Sequence, residues 1–200
     1  MNLKKTFLGL TSFILLWGAS VANAQASYGD EFIQTELERV VSDPENSVTI
    51  SVDAPVNYVY RFLMERLDLY AKDAVTVTFN ASGEGSIQAS VGTERTTTMK
   101  KGGTLVQRFL IVEPPTTYAY FTDISKSTLS VPLKYSLTKY EFAEVGVTKT
   151  TVKISVVYEP SSRLTGFIVR RLFNSAFERD FNNAAKIMSN HYLKDPNGKL

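Results

Sequence analysis

Few side chains in this sequence are of the types that carry out nucleophilic or metal-assisted chemistry. The 200 residues include no Cys, which excludes a thiolate nucleophile, a CxxC zinc site and an iron–sulfur cluster. The single His, His191, lies near the end of the last predicted helix, where a His more often caps the final carbonyls than acts as a base. One terminal His also supports no Ser–His–Asp arrangement. We therefore predict no catalytic residue, no metal site and no cofactor, and we favour a protein that is not an enzyme.

The charged candidates are isolated or adjacent side chains. Glu94 and Arg95 are neighbours, and neighbouring side chains of a strand point to opposite faces, so at most one of them faces an interior. Glu141 and Glu144 lie around a predicted strand end and are interpreted as solvated. The segment Gly83-Glu84-Gly85 lacks the following helix and Lys of a phosphate loop, so we interpret it as a hairpin turn.

Aromatic side chains are more abundant, with 10 Tyr and 12 Phe. A Tyr has an apolar body and a polar tip, which suits the lining of a pocket for an apolar ligand, and an Arg at the rim can pair with a carboxylate or phosphate. The alternative is that these residues fill a core, which the pattern alone does not distinguish from a lined cavity. The candidate ligand-binding residues are Phe109, Tyr120, Tyr135, Tyr140, Phe167 and Arg171.

Residues 1–24 are predicted to be a cleaved export signal. Lys4 and Lys5 precede an apolar run that is shorter than the roughly 20 residues needed to span a bilayer. Small residues at Ala22 and Ala24 form a signal-peptidase site, so we expect cleavage before Gln25. We therefore expect a periplasmic protein with no stable membrane anchor in its mature form.

The charge balance argues against a nucleic-acid partner. The whole chain has 22 Lys and Arg against 20 Asp and Glu, and its first 24 residues hold two Lys and no acidic residue. Residues 25–200 therefore have no net charge. A protein that binds nucleic acid regardless of sequence needs a surplus of Lys and Arg.

The elements that must position the candidates begin after the predicted signal. Residues 25–45 are predicted to form an arm with a short helix over 28–42, which Pro44 ends. A strand is predicted over 46–52, where apolar residues alternate with Ser and Thr. Pro55 then begins an amphipathic helix, because apolar residues recur at helical spacing after it.

The middle of the chain has a period of two. Apolar residues alternate from Val75 to Val91, and further strands are predicted around 105–112, 118–124, 134–142 and 148–158. Turns with Gly or Pro separate them, which indicates a mostly antiparallel sheet. No long helical pattern lies between these strands, so a doubly wound parallel sheet is not expected. Over 105–112 both sides are apolar, and the inward side is not determined.

The C-terminal part is predicted to be one long helix from after Ser162 to about Leu193. One apolar stripe follows its length, formed by Phe173, Phe177, Phe181, Ala184, Met188 and Tyr192. The segment 164–173 is apolar on more than one side, although Arg170 and Arg171 interrupt it. This segment is therefore expected to face something besides the sheet, such as a partner, a loop or a ligand.

The order of these elements resembles the helix-grip fold of the START-like (SRPBCC) superfamily, which includes polyketide cyclases and coenzyme-Q-binding proteins. Three segments carry the resemblance, at 48–63, 111–115 and 146–156, and it extends over residues 46–193. Many relatives have a Tyr-Pro-x-Trp-like segment after the first helix. The corresponding Tyr70-Ala71-Lys72-Asp73 has neither Pro nor Trp, so no function of that segment is transferred.

The resemblance implies an α+β domain over 46–193, in which a curved antiparallel sheet wraps around the C-terminal helix and leaves a cavity, with 194–200 as a tail. Together with the predicted export signal, it implies an exported binding or carrier protein for a hydrophobic small molecule such as a lipid, a quinone or a polyketide-like compound. Two alternatives stay open. One is a cyclase- or dehydratase-type enzyme that uses Tyr120 or Arg171, and the other is a protein-interaction module.

Overall fold

The computed structural model describes residues 28–80, 89–163 and 166–196. The predicted export signal with Ala22, Ala24 and Gln25, the predicted turn at 83–85 and residues 197–200 lie outside this part of the chain. The elements are α1 (Asp30–Ser42), β1 (Asn46–Val52), α2 (Val56–Glu65), α3 (Leu67–Tyr70), β2 (Ala74–Phe79), β3 (Glu94–Met99), β4 (Thr104–Glu113), β5 (Thr117–Asp123), β6 (Leu133–Glu144), β7 (Thr150–Pro160) and α4 (Gly166–Lys194).

The described strands form one antiparallel sheet in the order β1-β7-β6-β5-β4-β3-β2. Strands β2 to β7 follow each other in sequence and in space, while β1 pairs with β7 at the far edge. The chain between β1 and β2 forms α2 and α3, and α4 packs across the sheet near β1 and β7. The curved sheet around a long C-terminal helix confirms the predicted α+β helix-grip fold.

The described residues form an apolar core on each face of the sheet. The inner face packs against α2 and α4, where Val59, Leu63 and Met188 are buried. The outer face packs against α1, which contributes Ile33 and Val40. The predicted helix of the N-terminal arm is thus α1, and it covers the side of the sheet that α4 leaves free.

Local sequence explains most of the element boundaries. Strand β1 has the predicted bounds, and its alternation buries Val48, Ile50 and Val52. Helix α2 begins directly after Pro55, whose fixed φ suits a helix start. The β3–β4 turn contains Gly102 and Gly103, both with a φ of +86°, a conformation that residues with a Cβ rarely adopt.

The sequence patterns missed β3 and a change of face in β4. Strand β3 (Glu94–Met99) has no apolar alternation, because its buried inward positions are Arg95 and Thr97. The apolar alternation predicted to continue to Val91 does not form a strand at its described end. In β4 the pairing register shifts between Phe109 and Ile111. This bulge changes which side chains face inward, and therefore no single face fits the whole strand.

Candidate functional site

An aromatic cluster covers the centre of the inner face. It is built from three neighbouring strands, because antiparallel pairing places Phe109 opposite Tyr120 and Tyr118 opposite Tyr140. The rings of Tyr118 and Tyr140 stack with their centroids 4.4 Å apart. Phe181 of α4 packs edge-on against Tyr140 at 5.9 Å. The space between the sheet and α4 is therefore filled by rings at this point.

Arg95 is a fully buried cation beside this cluster. Its Nε and Nη2 donate to the Oε1 atom of Gln107 at 2.9 and 2.7 Å. Its Nη1 donates to the carbonyl oxygens of Met64 at 2.6 Å and Leu63 at 3.5 Å. A guanidinium has five N–H donors, so one hydrogen of Nη2 has no acceptor among the described residues.

The hydrogen-bond partners of Arg95 among the described residues are all formally neutral. The carbonyls of Leu63 and Met64 belong to the last turn of α2, where carbonyls lack partners within the helix and carry its negative partial charge. The guanidinium also lies 4.9 Å from the ring centroid of Tyr120 and 5.5 Å from that of Phe109. These contacts stabilise the buried charge without a described carboxylate as its counter-ion.

Three buried hydroxyl groups have no hydrogen-bond partner among the described residues: Tyr60 Oη, Thr97 Oγ1 and Tyr118 Oη. Thr97 lies two residues after Arg95 and faces the same side of β3. The ring of Tyr60 packs edge-on against Tyr118 at 5.4 Å. Each unpaired buried hydroxyl lowers the stability of the folded protein by about 1–3 kcal/mol. The interior near Arg95 therefore contains hydroxyl groups that are still available for hydrogen bonds.

Tyr60, Tyr118 and Tyr140 keep their protons well above neutral pH. Burial raises the pKa of Tyr118 and of Tyr140 well above the usual value. Burial, and to a smaller extent the charge of Glu113, raises the pKa of Tyr60 to about 12. The hydroxyls of Tyr120 and Tyr140 lie 3.3 Å apart and share one hydrogen bond. The groups with a raised pKa are consequently neutral donors, and none of them is a base near pH 7.

The structure brings together three of the six candidate residues. Phe109, Tyr120 and Tyr140 all belong to the inner cluster. Tyr135 does not, because it lies in the core between the outer face and α1, 5.1 Å from the ring of Phe32. Tyr135 and Tyr140 are five residues apart in β6, and an odd separation in a regular strand places two side chains on opposite faces. The structure therefore separates Tyr135 from the three candidates that share the inner face.

The structure also separates Phe167 and Arg171 from the inner cluster. Both side chains are exposed, and Phe167 retains 76% of its accessible surface. In α4 it is Val169, Phe173 and Phe177 that pack toward the sheet. Phe167 precedes Val169 by two positions, which places it on another side of the helix.

The residues that sequence reasoning left out of the site are Arg95, Thr97, Tyr60 and Tyr118. The expectation that at most one of Glu94 and Arg95 faces inward agrees with the structure: Arg95 is buried, whereas Glu94 is half-buried and forms an ion pair with Lys126 at 3.3 Å. A strand assigned to Glu94–Met99 places Arg95 and Thr97 on one face, which is the signal that would identify both residues.

Two other features lie outside the inner cluster. The Nδ1 atom of His191 lies 2.7 Å from the hydroxyl of Tyr58, whose pKa burial raises to about 12. A pocket of about 80 Å³ lies at the outer face beside α1, with Tyr28, Arg108 and Asp123 in its lining. It has room for a few water molecules rather than for a large apolar ligand.

The described residues contain no group of three or more acidic or His side chains that could hold a metal ion. Among the described helices, even α4 lacks the continuous apolar stretch that crossing a bilayer requires.

A family model described as polyketide cyclase / dehydrase and lipid transport matches residues 44–191. No curated protein matches the sequence. A START superfamily protein from Mycobacterium smegmatis has a similar structure, with a TM-score of 0.56 and 10% identity over 74% of this chain and 97% of the other.

Two enzymes have similar folds. The Zhui aromatase/cyclase from Streptomyces sp. R1128 matches with a TM-score of 0.53 and 12% identity, over 77% of this chain and 98% of that enzyme. Norcoclaurine synthase from Thalictrum flavum, in complex with dopamine and hydroxybenzaldehyde, matches with a TM-score of 0.52 and 16% identity over 75% and 86%. At these low sequence identities, the structural similarity shows a shared fold and nothing further.

Proposed function

This chain belongs to the polyketide cyclase / dehydrase and lipid transport family, and on that premise we propose that it binds a hydrophobic small molecule between the inner face and α4. An anionic or carbonyl oxygen of the ligand accepts a hydrogen bond from Arg95. The observation that carries this proposal is the fully buried guanidinium, which has only neutral hydrogen-bond acceptors among the described residues and one unused donor.

The unpaired hydroxyls support a ligand with polar atoms at one end. Thr97 faces the same side of β3 as Arg95, and Tyr118 is close enough for the Arg95 charge to oppose the burial-driven rise of its pKa. A ligand oxygen in this region would gain neutral donors as well as a cation. The surrounding rings supply apolar contact for the rest of the molecule. Because rings now fill this space, binding requires some of them to move.

The test compares two fluorescent probes that differ in charge. 8-Anilinonaphthalene-1-sulfonate is apolar with an anionic group, and N-phenyl-1-naphthylamine has a similar ring system without it. We expect Arg95→Met to weaken binding of the sulfonate about tenfold or more, because a charge-assisted hydrogen bond is worth about 1.5–3 kcal/mol. Binding of the neutral probe should change little.

The neutral probe controls for damage to the fold, together with the unfolding temperature of the variant. Equal loss of both probes would assign Arg95 a structural role. Unchanged binding of the sulfonate in a folded Arg95→Met protein would contradict the proposed position of the ligand's polar end.

A cyclase-type activity is the second candidate, favoured by the cation and the neutral tyrosine donors, which can stabilise negative charge on a reacting oxygen. Proton removal from a carbon would also require a base. Tyr118 and Tyr140 keep their protons near pH 7, and His191 is engaged with Tyr58. We therefore favour ligand binding over catalysis as the function of this protein.

Export to the periplasm is also proposed, supported by the basic start, the apolar run and the Ala22–Ala24 site. The test is native mass spectrometry of the protein released from the periplasm by osmotic shock. We expect an N-terminus at Gln25 and a recurrent apolar species bound to the protein. Recovery only in the cytoplasmic fraction, with residues 1–24 retained, would contradict export.

A further inference from the structure

We propose that the N-terminal half of α4 docks onto an anionic lipid bilayer. This inference goes beyond the proposed ligand binding and does not depend on it. Three large apolar side chains project from this part of the helix: Phe167, Ile168 and Leu172, with 76%, 55% and 44% of their surface exposed. Together they are called the α4 patch.

The α4 patch is confined to the first turns of the helix. At about 100° per residue, its side chains lie within about 140° of one another around the helix. Val169, Phe173 and Phe177 pack toward the sheet from a different side. Farther along, Arg179 and Asn182 are exposed. Among the described residues of α4, the only other exposed large apolar side chain is Leu193 near the C-terminal end, so the patch is where several such side chains lie together.

Arginines surround the patch without nearby acidic residues in the sequence. Residues 161–177 contain Arg163, Arg170 and Arg171 and no Asp or Glu. Arg163 and Arg171 are exposed and form no ion pair among the described residues. Arg170 pairs with Glu45 and covers the ring of Tyr158, with 5.8 Å between its guanidinium carbon and the ring centroid.

This combination matches the chemistry of a bilayer surface. Aromatic and aliphatic side chains enter the boundary between headgroups and acyl chains, while arginines contact anionic headgroups. A contact between two copies, centred on the patch, is disfavoured because a two-fold axis would bring the arginines of one copy near those of the other. Charge complementarity therefore favours an anionic bilayer as the surface that the α4 patch contacts.

The experiment uses the absence of native Cys, which makes a single introduced Cys the only labelling site. An environment-sensitive nitrobenzoxadiazole fluorophore is attached to Ile168→Cys in the patch. The matched control is Val147→Cys, because Val147 is 84% exposed and lies beyond the opposite end of β7. Each labelled protein is titrated with vesicles of phosphatidylcholine alone, or of equal parts phosphatidylcholine and phosphatidylglycerol.

We expect the fluorescence at residue 168 to rise several-fold with the anionic vesicles and to fall again in high salt. The label at 147 should respond little, as should both labels with phosphatidylcholine alone. In the Ile168→Cys protein, Arg163→Gln and Arg171→Gln should each weaken vesicle binding about fivefold. This is the change in affinity that corresponds to the binding free energy of one arginine near an anionic surface.

Three results would overturn the proposal. The first is a label at 168 that is silent with both kinds of vesicle, and the second is an equal response to both. The third is a signal that changes with protein concentration in the absence of lipid, which would assign the patch to a contact between copies. Each readout is independent of the interior probes, so failure here leaves the proposed ligand binding untouched.

Discussion

The Nη1 atom of Arg95 donates a hydrogen bond to the carbonyl oxygen of Met64 over 2.6 Å. This contact joins β3 to the C-terminal end of α2, so the strand that had no apolar alternation is anchored through its polar side chain. The same guanidinium reaches Gln107 on β4. Arg95 thus connects three elements at the inner cluster while retaining one N–H without a described acceptor.

The first prediction supplies Arg95 with an internal counter-ion. Gln107→Glu replaces the neutral acceptor by a carboxylate of nearly the same shape, which is expected to pair with the guanidinium. We expect affinity for 8-anilinonaphthalene-1-sulfonate to fall about tenfold, since the anion then competes with a buried carboxylate. Affinity for N-phenyl-1-naphthylamine should stay the same. Undiminished binding of the sulfonate in titrations would show that its charge lies elsewhere.

The second prediction concerns an unused hydroxyl. Tyr118→Phe removes a buried oxygen that has no described partner, and we expect it to stabilise the free protein by up to about 1 kcal/mol, or about 3 °C in Tm. Tyr158→Phe is the matched control. Its hydroxyl donates to Asn174 Oδ1 at 2.9 Å, so its removal should lower the Tm. A lower Tm in both variants would mean that the Tyr118 hydroxyl has a partner.

The third prediction is a loss of stability at alkaline pH. A tyrosine ordinarily has a pKa near 10, whereas the pKa of folded Tyr60 is raised to about 12. Between these values the unfolded chain binds fewer protons than the folded protein, so the free energy of unfolding decreases as the pH rises. In denaturant unfolding experiments, the contribution of Tyr60 to the free energy of unfolding should therefore be constant below about pH 10 and decline above it.

Tyr60→Phe separates this effect from other alkaline changes. The variant should show a shallower decline between pH 10 and pH 12, because one of the groups with a raised pKa is absent. An identical pH profile for the variant and the original protein would contradict the contribution of Tyr60.

The fourth prediction separates the two faces of the sheet. Tyr140→Leu removes a ring from the inner cluster, and Tyr135→Leu removes one from the core beneath α1. Both should lower the Tm, since both rings are buried. Only Tyr140→Leu is expected to change the affinity for N-phenyl-1-naphthylamine, which fluorescence titration measures. A larger effect of Tyr135→Leu on that affinity would place the probe at the outer face.

Local patterns predicted a large part of the fold. The strand over 46–52 was predicted with its observed bounds, and the predicted last helix to about Leu193 corresponds to α4 (Gly166–Lys194). These elements have strong apolar periodicity, and such periodicity reflects burial of one face directly. Strand β3 was missed because the side chains on its inward face are polar.

The candidate site was predicted only in part for the same reason. Phe109, Tyr120 and Tyr140 are aromatic residues of predicted strands, and they meet on the inner face. The burial of Arg95 follows from contacts with Met64 and Gln107, which lie 31 and 12 residues away. No local pattern contains such contacts.

Residue types and short-range spacing were enough to establish the order of the main elements and the absence of thiol chemistry, because neither depends on distant contacts. Three-dimensional packing was needed to establish which aromatic rings share a face of the sheet. The bulge in β4 and the pairing of β5 with β6 determine toward which face these side chains point, although the residues are far apart in the sequence. It also buries Arg95 while leaving Phe167 and Arg171 exposed. Burial depends on what packs above a side chain, and in this fold the covering elements come from remote parts of the chain.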